Sequence, residues 1–278
     1  MLRTASWGGL EVIRARAIRL GILALLVAAA LATDPTAGAM AARYPWRGDL
    51  AVTAPLATRV PAPAGFQRVA AEPESFAEWL RGLPLKPDAT PVRLYDGQPK
   101  RNQDNHVAVI DIDTGPRDLQ QCADAVMRLR AEYLLGAGRA RDIAFNDTEG
   151  KRHPFQGGAG DYKGFRRYMD RIFAYAGSYS LEREMAPAPL GDMRIGDVFI
   201  KGGFPGHAVL VVDMAASRTT GEKRFLLMQS YMPAEDMHVL KNPKSADGTP
   251  WYAMPAQGQE LVTPEWIFPA GMLRRFRN

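Results

Sequence analysis

"IGDVFIKGGFPGHAVLVVDMAASRTTGEKRFLLMQSYMP", residues 195–233, decides how the chain folds. Three apolar runs separated by Gly-rich connections give the alternating pattern of successive antiparallel strands. In "HAVLVVD", His207, Val209 and Val211 share one face; in "RFLLMQSYM", Phe225, Leu227, Gln229 and Tyr231 share one face. A hairpin closed by a loop from Met214 to Glu222 sets Val211 opposite Phe225 and Val209 opposite Leu227. The same register sets His207 opposite Gln229. The apolar faces match, and a polar pair falls together at the end of the sheet.

Upstream the period is helical. In "GPRDLQQCADAVMRLRAEYLL", residues 115–135, Leu119, Cys122, Val126, Leu129 and Tyr133 form one apolar stripe. Asp118 with Gln121 three residues on is a capping-box signature, which places Cys122 in the first turn. "PESFAEWLRGLPL" suits a short helix, and a further helix over 163–176 buries Phe165, Tyr168, Met169, Ile172 and Phe173. An Asp96-Gly97 turn leading to the run 107–112 reads as a hairpin. "LVTPEWIFPAGMLRRF" near the C-terminus adds an edge strand or wraps the body. Helices followed by antiparallel strands predict an α+β fold.

With 278 residues, 46% of them hydrophobic, the chain can bury one substantial core. Arg14, Arg16 and Arg19 precede an apolar run from Leu20 to Ala32, with small-residue exits at Ala30-Leu31-Ala32 and Ala37-Gly38-Ala39. That pattern reads as a signal peptide over residues 1–39, with an uncleaved anchor as the alternative. The run is shorter than the roughly 20 residues of a membrane span. An exported protein is expected, periplasmic or envelope-associated, with no stable membrane span after cleavage. Residues 40–65, rich in Ala and Pro, read as a linker, and 66–278 as a single domain. Without residues 1–39 the chain keeps 31 basic and 28 acidic residues, a net charge of +3. So weak an excess gives no reason to expect nucleic acid, and "KGFRRYMDR" reads as a solvated helix face.

The chain has one cysteine, Cys122, so it forms no intramolecular disulfide. In an oxidising compartment it is a buried inert thiol, an intermolecular link or a reactive group. A helix N-terminus and a neighbouring imidazolium lower a thiol's pKa from about 8.5. On the reactive reading Cys122 is the nucleophile, His207 the base and Gln229 the group that orients the imidazole. First-turn N–H groups, with Gln120 or Gln121, would stabilise an oxyanion, and Gly203 and Gly206 would leave room for a substrate backbone. His106, opening the strand "HVAVIDID", is a rival base, while His153 and His238 read as surface or loop residues. Scattered histidines without ligand spacing predict no metal site, and no phosphate loop or cofactor motif is present. On the bland reading, Cys122 packs as a small hydrophobe on its helix's apolar stripe.

A cysteine opening a helix, then "GDVF…GHAVLVVD", then a polar residue ending the next strand resembles the papain-like and transglutaminase-like hydrolases. The NlpC/P60-type cell-wall peptidases come closest among them. "DLQQCADAVMRLRAEYL", "GDVFIKGGFPGHAV" and "QSYMPAEDMHVLKNP" resemble motifs of the domain of unknown function 4846, over roughly residues 66–270. The peptidase resemblance implies a papain-like core and a cysteine hydrolase or amidotransferase acting through an acyl-enzyme, with cell-wall peptide as the leading substrate class. The alternative is a non-catalytic envelope module of the same fold that binds peptide or glycan.

Overall fold

The stretch 195–233 becomes the centre of a large antiparallel sheet. The computed structural model describes residues 44–48, 54–158 and 160–277. In chain order the elements are α1 (Leu56–Arg59), β1 (Phe66–Arg68), α2 (Phe76–Arg81), β2 (His106–Val109), α3 (Cys122–Gly136), β3 (Ala144–Asn146) and β4 (Arg152–Pro154). Next come α4 (Tyr162–Tyr175), α5 (Ser178–Glu184), β5 (Ala186–Pro187), β6 (Val198–Lys201), β7 (His207–Ser217) and β8 (Lys223–Gln229). The last are β9 (His238–Leu240), β10 (Tyr252–Ala253), β11 (Leu261–Val262), β12 (Ile267–Phe268) and β13 (Leu273–Arg275). The main sheet runs β2-β9-β8-β7-β6-β13-β5, with β1 also on β7 and β10 on β8. The fold is α+β.

Strand β7 is buried on both faces, which explains its nearly unbroken apolar run. Ala208, Leu210 and Val212 belong to the core shared with α3, whereas Val209 and Val211 belong to a second core with Phe225, Leu227, Tyr252 and Phe268. Helix α3 is buried almost all round, from Cys122 to Leu135, so its single predicted stripe is only part of the buried surface. It starts at Cys122, not near Asp118: Gln121 is the N-cap, and Asp124 Oδ2 accepts the Gln121 N–H at 3.1 Å. Helix α4 buries the five side chains expected of it.

The hairpin register differs from the expected one by three residues near the turn and by two toward His207. Val211 faces Leu227 and Met214 faces Phe225, with a bulge between Val211 and Asp213. Strand β7 continues to Ser217, so the connection is shorter than expected. Beside the bulge Asp213 is fully buried and accepts from Arg68 Nε at 2.6 Å and Arg81 Nε at 2.8 Å. Strand β2 makes no hairpin at Asp96-Gly97; it pairs with β9. The described part of the expected linker is packed into the body, with Tyr44 and Leu56 buried and the Trp251 indole donating to the Pro61 carbonyl at 2.9 Å. Aromatic and apolar anchors among the Ala and Pro residues explain the difference. The expected signal peptide lies outside the described residues. Among the described residues no helix is long and apolar enough to cross a membrane.

Candidate functional site

His207 is the first residue of β7, and Gln229 the last of β8. A two-residue shift of register keeps each side chain on its face, so the two remain diagonal neighbours. His207 Nε2 lies 3.0 Å from Gln229 Oε1, and both residues are buried. Rings enclose the imidazole: Tyr231 at 4.9 Å, Trp266 at 5.3 Å and Phe268 at 5.7 Å between centroids.

A buried polar cluster continues from Gln229. Its Nε2 donates to Glu265 Oε2 at 2.7 Å and faces His238 Nε2 at 3.4 Å. The Lys100 ammonium donates to Glu235 Oε1 and to Glu265 Oε2, each at 2.7 Å. His238 Nδ1 lies 2.9 Å from the Asp236 carbonyl oxygen, which only a donor can satisfy, so its Nε2 is the acceptor. The Gln229 amide nitrogen therefore has two acceptors before it, His238 Nε2 and Glu265, and its oxygen must turn to His207. His207 then donates from Nε2, which leaves Nδ1 as the basic nitrogen of the neutral ring. No hydrogen bond within the described residues engages that Nδ1.

Cys122 packs beside the same strand end, close enough to Tyr231, whose ring stands against His207, that after burial and Glu265 it too raises the tyrosine's pKa. It belongs to the core between α3 and the sheet, is 7% exposed, and has the backbone amides of Ala123 and Ala208 before its sulfur. Ala208 follows His207 directly. Among the described residues no hydrogen bond joins the sulfur to the His207 ring. Burial, helped by the Asp124 carboxylate, pushes the thiol up to about 12. The expected depression by the helix N-terminus is thus reversed, because desolvation of the thiolate outweighs the amides that would stabilise it. Burial likewise lowers His207 to about 4, against the Gln229 hydrogen bond. Thiol and imidazole both rest neutral.

Gln120 is buried, and its Oε1 accepts from Arg128 Nη1 at 2.6 Å. Its main-chain oxygen accepts from Ser230 Oγ at 3.1 Å, so the residue before the N-cap is tied both to α3 and to the end of β8. Gln121 faces outward, donating to Asp118 Oδ1 at 3.0 Å. Gly206 opens no groove: a Cβ there would meet the Lys201 and Gly203 carbonyl oxygens at 2.6 and 2.7 Å. Its place is close backbone packing against α5. Gly203, at φ 141°, takes a conformation that favours glycine, and its oxygen accepts from Ser178 Oγ at 3.3 Å.

His106 is no rival for the base. It lies on β2, with β9 and β8 between it and β7, and its Nε2 is 3.4 Å from the Thr90 oxygen. His153 pairs with Asp147 at 2.7 Å, well away from the cluster. His238 is fully buried, the reverse of a surface residue. Burial and then the Lys100 charge lower it to about 3, while burial raises Glu235 to about 7 against the opposing pull of Lys100. Glu235, His238 and Glu265 stand close enough to hold a metal ion, but the Lys100 ammonium already bridges the two carboxylates. The one sequence signal for this cluster is Glu235 three residues before His238. Lys100 and Glu265 come from distant loops that no local pattern connects.

A family model described as Domain of unknown function (4846) matches residues 56–159 and 156–275. No curated protein and no solved structure matches the chain.

Proposed function

The chain belongs to the Domain of unknown function (4846) family, and from its site we propose a cysteine hydrolase or amidotransferase that cleaves an amide through an acyl-enzyme at Cys122. The observation that carries this reading is the His207 Nε2–Gln229 Oε1 contact of 3.0 Å, enclosed by aromatic rings. It leaves a basic Nδ1 on the residue preceding the amide that faces the sulfur. Because thiol and imidazole rest neutral, the proton moves during attack. Cys122 Sγ bonds to the carbonyl carbon while His207 Nδ1 takes the thiol proton. The carbonyl oxygen gains the negative charge, met by first-turn N–H groups of α3. Collapse breaks the C–N bond, and His207 returns the proton to the leaving amine. Water or a second amine then attacks the thioester. Gln229 holds the ring and stabilises the imidazolium that forms. The aromatic wall excludes water from that contact.

Export to the envelope and cell-wall peptide as substrate belong to this proposal. Their support is the basic-then-apolar N-terminal sequence and the motif resemblance to cell-wall peptidases. The test is hydrolysis of short peptides with a fluorogenic amide, including peptides of D-residues, with intact-mass detection of a Cys122 thioester. Expected are loss of turnover in Cys122→Ala and a drop of about 100-fold or more in His207→Ala. Turnover unchanged in Cys122→Ala would sink the reading.

A second reading, an envelope module that binds peptide or glycan without cleaving it, is favoured by the burial of Cys122 and its raised pKa. Alkylation of Cys122 only after denaturation, with no acyl-enzyme on any substrate, would select it.

A further inference from the structure

A second site lies on the far part of α3. Arg130, Arg139, Arg152, Arg183 and Arg277 line one cavity of about 490 Å³. Arg130 follows Cys122 by eight residues, about 12 Å along the helix, so this cavity is separate from the cysteine. Two acids share it, Asp142 and Glu184. Asp142 is taken by Arg139, Nε to Oδ2 at 2.6 Å. Glu184 accepts the Asn146 N–H, and burial raises its pKa to about 7.

The remaining four arginines have no carboxylate at ion-pair distance among the described residues, yet three of them are held in place. The Arg130 guanidinium lies over the rings of Phe76, Phe276 and Tyr133 at 5.2, 5.4 and 5.5 Å. Arg183 lies over Tyr179 at 5.3 Å. Arg277 Nε donates to the Glu184 carbonyl oxygen at 2.9 Å. Elsewhere in the chain buried and partly buried arginines are neutralised: Arg68 and Arg81 meet on Asp213, and Arg128 meets Asp113 and Glu132. Rings fix an arginine's plane without cancelling its charge. Planar forks that line one cavity and are not neutralised by carboxylates suit an oxyanion that can accept in pairs, and the volume is that of a small-molecule site.

We propose that this cavity binds the phosphate group of a phosphorylated ligand. The ligand is a small soluble phosphate or diphosphate, or the phosphate of a lipid headgroup. Calorimetric titration of the full chain with sodium pyrophosphate tests it, against sodium chloride at matched ionic strength. A parallel arm measures co-sedimentation with phosphatidylglycerol vesicles. Arg152→Gln and Arg183→Gln change exposed side chains and should each weaken binding about tenfold, with Arg130→Gln weakening it further. The exposed, distant Arg101→Gln should change nothing. Pyrophosphate binding alone assigns a soluble ligand; vesicle binding that pyrophosphate displaces and Arg183→Gln weakens assigns a headgroup. Binding to neither probe, or equal loss in Arg101→Gln, overturns the proposal.

Discussion

Glu265 accepts the Gln229 amide N–H at 2.7 Å, and through that contact it decides which nitrogen of His207 is basic. The carboxylate cannot accept from an amide oxygen, so Gln229 cannot turn over without losing the bond. In Glu265→Gln either amide can invert, and the His207 tautomer is no longer fixed. The expected outcome is a mixed ¹⁵N imidazole signature for His207, where the native chain shows Nε2–H alone. If turnover is found, it should drop about tenfold, a net hydrogen bond's worth. A single unchanged tautomer in the variant would refute the role assigned to Glu265.

Lys100 tests the cluster's charge balance. It is the ion-pair partner of Glu235, which is 1% exposed, and of Glu265. Lys100→Met strands two carboxylates, an arrangement that costs about 3–5 kcal/mol when a buried pair is broken from one side. Urea unfolding at pH 8 should show that loss. At pH 5.5 the loss should be smaller, since Glu235, already raised to about 7 with its partner present, then holds a proton and needs no counter-charge.

Stability should follow an uneven pH profile. His207 and His238 have folded pKa values of about 4 and 3, below the 6.5 of the free side chain. Their contribution is present above pH 6.5 and is lost as pH falls toward those folded values, because the unfolded chain binds the protons first. Glu184 and Glu235 are raised from 4.5 to about 7, so their contribution is lost as pH rises through that interval. The two effects oppose each other between about 4.5 and 6.5. A shallow urea midpoint there, with a steep fall below pH 4.5, is expected. His238→Gln should flatten the acid limb; an identical limb would show that the histidine is not the cause.

How far the sequence reaches is seen at these same residues. The period-2 runs of β7 and β8 identify the sheet, and the face on which His207 and Gln229 meet is correct although the register is two residues off. The turn closes three residues later than expected and the bulge gives back one; beside that bulge Asp213 meets Arg68 and Arg81, contacts that span the chain. Helix α3 is legible as a helix with Cys122 in its first turn. Its all-round burial is not, because what covers its polar positions, such as Arg128 with Asp113, depends on tertiary pairing. Lys100 and Glu265 are invisible for the same reason, as is the burial of His238 beside them.

Gly206 carries the last prediction. It stands immediately before His207, and a sequence reading assigns it to an open approach for substrate. In the fold it allows the turn from β6 into β7 to close on α5. Added to it, a Cβ would lie 2.6 Å from the Lys201 carbonyl oxygen and 2.7 Å from that of Gly203, and it would also strike the Ser178 hydroxyl. Two of these three are backbone atoms, so no rotamer change relieves the contact. Gly206→Ala should therefore cost about 1–3 kcal/mol, the range of an overpacked core position. The displacement falls on the residue whose ring is held at 3.0 Å by Gln229, so the His207 imidazole resonances should shift as the urea midpoint drops. Ser178→Gly removes the one contact that a side chain supplies. The double variant should regain only a minor share of the loss; full recovery would mean that the backbone oxygens are not what excludes a side chain at this position.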